Sequence, residues 1–156
     1  MLGGLYTPGS TFKIVTAICA IENIPDIMSR EFNCVGEYDP GKGTPIECNA
    51  YHGKLNFKEA LAKSCNSVFA QVAIELGPEK LAETAKSLGL TSSVSISGDI
   101  NSMQGKFFLE NGDADDYVGW TGIGQGDTRI PPVAMLRLVS AIANDGKAVS
   151  YNLVDS

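Results

Sequence analysis

Pro8-Gly9-Ser10-Thr11-Phe12-Lys13 sets a hydroxyl and an amine three residues apart, directly ahead of an apolar helical pattern. On one helix face, side chains at that spacing have Cβ atoms about 5–6 Å apart, so Ser10 Oγ and Lys13 Nζ can meet. A serine hydroxyl is a weak nucleophile until a base takes its proton, and a neutral lysine beside it can be that base. The spacing alone is a common accident of composition. Its setting is more specific, because Pro-Gly punctuates the chain and the helix then starts at the serine. Ser64-Cys65-Asn66 is the second such stretch, at the break between helical patterns from Leu55 to Lys63 and from Ser67 to Leu76. In a tight turn the Ser64 hydroxyl and the Asn66 carboxamide can project into one cleft, relaying a proton and holding an amide-containing substrate. The same residues also suit ordinary caps between consecutive helices.

Positioning these groups falls mainly to helices, and the chain reads as mainly α with a short β hairpin. Phe12, Ile14, Val15, Ile18 and Ile21 give a broad apolar face from Ser10 to Glu22, stopped at Ile24-Pro25. A helix over 57–63 leads into the Ser-Cys-Asn turn, and Val68, Phe69, Val72, Ala73 and Leu76 continue beyond it. Gly77-Pro78-Glu79 breaks and restarts the chain, and Gly89 caps the next helix. The last helix runs from Pro132 to Asn144, with a stripe of Val133, Leu136, Val139 and Ile142 that Met135 and Leu138 widen toward burial on two sides. Phe32 to Ile46 carries turn residues at Asp39-Pro40-Gly41 and Gly43, which predicts a hairpin. Val94 to Ser97 alternates like a brief strand, and Gly98 to Asp116 reads as a long acidic loop.

Other chemistry is disfavoured. Twelve basic against eighteen acidic residues give a net charge of −6, which argues against a nucleic-acid backbone as partner. Hydrophobic content of 44% in 156 residues fits one domain with a sizeable core. No apolar run is long enough to span a membrane, and no signal peptide is readable. Glu110, Asp113, Asp115 and Asp116 lack the ordered spacing of a calcium loop and read as a solvated acidic segment. Gly122, Gly124 and Gly126 lack the lysine of a phosphate loop and read as a structural turn beside the cleft, with Trp120 beneath it. Of the four cysteines, Cys19 and Cys65 read as packing residues, while Cys34 and Cys48 form either a disulfide or two free thiols. A zinc site from Cys34, Cys48 and His52 lacks the paired close spacings of structural zinc sites. Neither a metal nor a cofactor is expected.

Pro-Gly-Ser-Thr-Phe-Lys followed by Ser-Cys-Asn resembles the transpeptidase domain of the penicillin-binding proteins. Tyr6-Thr7-Pro8-Gly9, His52-Gly53, and Gly124-Gln125-Gly126 with Pro131-Pro132 and the helix after them extend the resemblance along most of the chain. It implies a serine D,D-transpeptidase that cross-links peptidoglycan stem peptides through an acyl-enzyme and is acylated by β-lactams. Ser10 is then the nucleophile, Lys13 the base, Ser64 the proton relay and Asn66 the holder of the substrate amide. The family's Lys-Thr-Gly or Lys-Ser-Gly tripeptide is absent, and Gly146-Lys147-Ala148 does not replace it. The resemblance therefore implies an excised piece: the helical subdomain of the α/β penicillin-binding and β-lactamase-like transpeptidase fold, its central sheet largely absent.

On that reading 1–9 is a lead-in or cut end, 10–90 holds the catalytic helices, 91–118 is a loop, and 119–156 holds the Gly-Gln-Gly turn and last helix. The parent is expected at the extracytoplasmic face of the bacterial membrane, anchored by an N-terminal part lying outside this piece. The isolated piece is expected to be inactive and to self-associate. Two other readings stand beside it. One is a β-lactamase or β-lactam sensor; the other is a non-catalytic helical module that serves binding or assembly.

Overall fold

The computed structural model describes residues 4–97, 100–110 and 113–150. Gly9–Phe12 is a 3-10 turn that runs straight into α1 (Lys13–Asn23). The expected α-helical start at Ser10 is thus corrected to a tighter turn, in which side chains three apart eclipse and Ser10 stands directly over Lys13. Helix α1 buries Val15, Thr16, Ala17, Cys19 and Ala20. Ile24 turns extended, at φ −119 and ψ 99, and ends it. The ring of Pro25 disfavours helical backbone at the residue before it.

Four short strands follow: β1 (Glu31–Cys34), β2 (Glu37–Tyr38), β3 (Ile46–Glu47) and β4 (Gly53–Asn56). They nest, with β2 antiparallel to β3 inside an outer ladder of β1 and β4. The expected hairpin is the inner pair; Phe32 lies outside it, opposite Leu55. An outer ladder closed by so long an excursion has no turn signature in sequence. Helix α2 (Phe57–Ala62) opens with a capping box, in which Asn56 Oδ1 accepts from the Glu59 N–H and Glu59 Oε2 accepts from the Asn56 N–H, both at 2.9 Å.

Helix α3 (Asn66–Ser87) buries Val68, Phe69, Val72, Ala73 and Leu76, as their spacing predicts. Gly77, at φ 80 and ψ 164, kinks it at the Gly-Pro break read from sequence. Beyond it, β5 (Ser95–Ser97) pairs with β6 (Ile100–Asn101), and α4 (Asp115–Gly122) follows.

Strand β6 and the start of α4 correct the reading of 98–116 as one loop; residues 98–99 and 111–112 of it lie outside those described. Two glycines make α4 a poor helix on propensity. They are there for contact: a Cβ at Gly119 would overlap Ile46 Cδ1, and one at Gly122 would overlap Ala73 Cβ. The acidic residues also have local duties. Asp115 and Asp116 occupy the first turn of α4, where the helix dipole favours anions. Asp116 Oδ2 accepts from the Thr44 N–H at 2.8 Å, and Asp113 Oδ2 from the Glu110 N–H at 2.8 Å.

Helix α5 (Pro132–Ala143) buries Val133, Ala134 and Leu138. Leu136, Val139 and Ile142 are exposed by 49%, 46% and 52%, so the expected burial on two sides is corrected to burial on one. Nothing among the described residues covers the second face. Helices α1 and α4 both pack on α3, which makes α3 the hub of one apolar cluster. A second cluster joins Phe12 and Val15 to Leu90, Ile130, Val133 and Leu138. Strands among the described residues form only three two-stranded antiparallel sheets, in keeping with a mainly α chain without a central sheet. All four cysteines are free, so Cys34 and Cys48 are not joined as a disulfide.

Candidate active site

Lys13 is 1% exposed. Its Nζ lies 2.8 Å from the Ser64 carbonyl oxygen, 2.9 Å from Ser64 Oγ, 2.6 Å from Asn66 Oδ1 and 3.3 Å from Ser10 Oγ. The Phe69 ring backs it, with its centroid 6.0 Å from Nζ. Burial lowers the Lys13 pKa from its ordinary 10.5, against a smaller opposing pull from the Cys48 and Cys65 thiols when ionised. A neutral amine has two N–H groups and one lone pair. The Ser64 carbonyl and Asn66 Oδ1 can only accept, so they take the two N–H groups. The lone pair is then left for a hydroxyl that can donate, and Ser10 and Ser64 are those hydroxyls.

The backbone around Ser64 explains how a hydroxyl comes to face Lys13. Helix α2 ends with the Ser64 N–H donating to the Leu61 carbonyl at 3.0 Å and the Cys65 N–H to the Ala60 carbonyl at 2.9 Å. That pair of bonds is a Schellman cap, whose left-handed position is usually glycine. Here serine holds it, at φ 52. A non-glycine residue in this region costs about 1–2 kcal/mol and is kept where the surroundings demand it. Two residues on, Asn66 Nδ2 donates to the Glu47 carbonyl at 3.0 Å, which turns Oδ1 toward Lys13.

Ser10 is exposed, at the open side of this arrangement. Its N–H belongs to a first helical turn, whose N–H groups have no acceptor within the helix. The Gly9 N–H donates to the Gly124 carbonyl at 2.9 Å, so the turn that carries Ser10 leans on the Gly-Gln-Gly segment. Gly124 is at φ 82, and a Cβ there would overlap the Gly9 carbonyl oxygen. Thr16 Oγ1 adds a bond to the Gly122 carbonyl at 2.6 Å. The Gly-rich segment is thus a structural turn beside the cleft, and Trp120 packs partly buried on the apolar cluster of α3.

All four residues selected from the sequence therefore meet around one lysine Nζ. Phe69 and the Glu47 carbonyl complete the site without a sequence signal. A second constellation lies close by: Cys34, Cys48, His52 and Cys65 converge, although sequence spacing argues against a metal site there. Burial pushes the Cys65 thiol up to about 12. Burial also raises Cys34, but hydrogen bonds from Ser67, Gly36 and His52 outweigh it and bring that thiol down to about 6.

The whole chain, residues 1–156, matches the family described as penicillin binding protein transpeptidase domain. The chain belongs to this family. Among its relatives, peptidoglycan D,D-transpeptidase PbpA of Mycobacterium tuberculosis (strain ATCC 25618 / H37Rv) is 28% identical over 167 residues, covering 97% of this chain and 31% of PbpA. A penicillin G acyl-enzyme complex of penicillin-binding protein A from M. tuberculosis superposes with a TM-score of 0.82 at 26% identity, over 96% of this chain and 35% of that one. The D,D-transpeptidase domain of a peptidoglycan glycosyltransferase from Eggerthella lenta gives a TM-score of 0.87 at 28% identity, over 99% of this chain and 40% of that one. The chain thus spans less than half the length of each of these relatives. Its helices and short strand pairs correspond to part of a penicillin-binding protein transpeptidase fold. No helix among its described residues is long and apolar enough to cross a membrane.

Proposed function

We propose that Ser10, Lys13, Ser64 and Asn66 form the acyl-transfer centre of a serine D,D-transpeptidase that cross-links peptidoglycan stem peptides. The observation that carries this reading is the buried Lys13 Nζ, held between two hydroxyls by two obligate acceptors. Ser10 Oγ attacks the carbonyl between two D-alanines as its proton passes to neutral Lys13. The Ser10 N–H donates to the oxyanion; the second donor comes from a part of the family's fold that these residues do not span. Lys13 returns the proton through Ser64 to the leaving amine, the C–N bond breaks, and the terminal D-alanine departs. A second peptide's amine then attacks the Ser10 ester, and its proton goes back to Ser10 Oγ as the ester bond breaks.

β-Lactams enter the same path, because ring opening leaves an acyl group on Ser10 with no departing amine. The acyl-enzyme formed by a relative with penicillin G supports this step. The site of action is the bacterial cell wall, at the outer face of the membrane where stem peptides are found. Complete turnover belongs to the longer protein, and the 156 residues alone are expected to be inactive. The uncovered Leu136, Val139 and Ile142 face supports self-association of this piece.

Intact-mass spectrometry after incubation with excess penicillin tests the reading. Full-length protein is expected to gain one penicillin mass, lost in Ser10→Ala. A full-length protein that is never acylated would sink the proposal.

A further inference from the structure

Cys34, Cys48, His52 and Cys65 come from four separate places: the end of β1, the residue after β3, the residue before β4, and the N-cap of α3. Their sulfur and nitrogen atoms all lie within 4.8 Å of one another. Cys34 Sγ is 3.5 Å and Cys48 Sγ 3.6 Å from His52 Nδ1, and Cys48 Sγ is 3.7 Å from Cys65 Sγ. A tetrahedral zinc ion with bonds of about 2.3 Å to sulfur and 2.0–2.1 Å to nitrogen has S···N edges of about 3.6 Å and S···S edges of about 3.8 Å. These three separations fall on those edges. A Cys48–Cys65 disulfide would need its sulfurs at about 2.05 Å.

The donor set is equally specific. Three thiols and an imidazole, with no carboxylate, suit zinc and exclude calcium or magnesium. Four protein ligands make a closed, structural site rather than a catalytic one. An outer layer is present too: Cys34 Sγ lies 3.4 Å from Ser67 Oγ and 3.5 Å from the Ala50 carbonyl, and Cys48 Sγ lies 3.4 Å from Asn49 Oδ1. Once Cys34 is a metal-bound thiolate, the Ser67 hydroxyl can donate to it and orient it.

We propose that Cys34, Cys48, His52 and Cys65 bind one zinc-class divalent cation, and that this ion positions the Ser64–Asn66 turn against Lys13. The positioning role rests on the transpeptidase reading; the metal site does not. Cys65 lies between Ser64 and Asn66, the two residues that bond Lys13 Nζ. Cys48 follows Glu47, whose carbonyl fixes the Asn66 amide. The ion therefore ties together the two chain segments on either side of the Asn66–Glu47 hydrogen bond. It also restrains the residue next to Ser64, whose left-handed backbone is costly to hold. Cys34 and His52 anchor the excursion between β1 and β4 to the same point.

The test uses full-length protein purified without chelator. Elemental analysis is expected to find about one zinc per chain. Replacement by Co²⁺ is expected to give a thiolate-to-cobalt charge-transfer band and the intense visible bands of tetrahedral cobalt. Cys48→Ser and His52→Ala, at partly exposed positions, are expected to lose both signals. Cys19→Ser, outside the cluster, is expected to keep them. Four free thiols without metal, or a Cys48–Cys65 disulfide found by mass spectrometry, would overturn the site.

For positioning, a strong chelator is expected to slow the limiting rate of penicillin acylation by about tenfold or more, with half-saturation unchanged and full recovery on adding zinc. Acylation of Cys48→Ser is expected to ignore the chelator. A rate independent of zinc content overturns the positioning role. If no preparation is acylated, that role falls with the transpeptidase reading, and the zinc count still decides the site.

Discussion

Replacing Ser64 by glycine and by alanine separates what its hydroxyl does from what its backbone costs. Both changes delete the hydroxyl that lies 2.9 Å from Lys13 Nζ. They differ only in the Cβ carried at φ 52. A Cβ in the left-handed region costs about 1–2 kcal/mol. Glycine gives back about 0.5–1 kcal/mol of that through the greater freedom of its unfolded chain. Ser64→Gly is therefore expected to be more stable than Ser64→Ala by about 0.5–1 kcal/mol, read as a higher urea midpoint at unchanged m-value. Penicillin acylation is expected to fall in both, to within a factor of a few of each other. A glycine variant no more stable than the alanine variant would refute the strained-cap account. Acylation preserved in either would refute Ser64 as the relay.

Lys13 gives a pH prediction. Its folded pKa is lowered, so the unfolded chain holds that proton more tightly between the lowered value and 10.5. Stability from this group therefore rises with pH through that window and is least below it, and Lys13→Met is expected to flatten the rise in denaturant titrations. The acylation rate should likewise climb as Lys13 deprotonates, with a midpoint below 10.5 in a rate–pH profile; a midpoint at the ordinary lysine value would count against it. Gly124→Ala forces a Cβ onto the Gly9 carbonyl, so stopped-flow acylation should slow by about 100-fold if Ser10 moves by about 1 Å. Asn56→Ala removes the capping box of α2 and should lower stability by about 1 kcal/mol in denaturant unfolding.

The candidate site residues could be selected from sequence because their chemistry is local. Ser10 and Lys13 are three apart, and Ser64 and Asn66 two apart, so each pair needs only one turn to define it. The helices around them were equally legible, since α1, α2 and α3 carry apolar spacing, caps and a Gly-Pro break. Helix α4 was not, because Gly119 and Gly122 weaken its propensity for the sake of contact with Ile46 and Ala73. The exposed face of α5 was misread for a related reason. Periodicity shows which residues are apolar, not whether a partner covers them.

What sequence alone determined is the family, the mainly helical character and the choice of four candidate residues that meet in the fold. Tertiary structure decided what those residues do to one another. Burial lowers the affinity of Lys13 for its proton, and the Glu47 carbonyl, from another segment, aims Asn66. The same distinction governs the thiol cluster. Cys34, Cys48, His52 and Cys65 lack the close paired spacings by which zinc sites are recognised in sequence. They meet because the β1–β4 ladder and the packing of α3 bring four distant positions to one point, and such long-range coincidence leaves no local pattern to read.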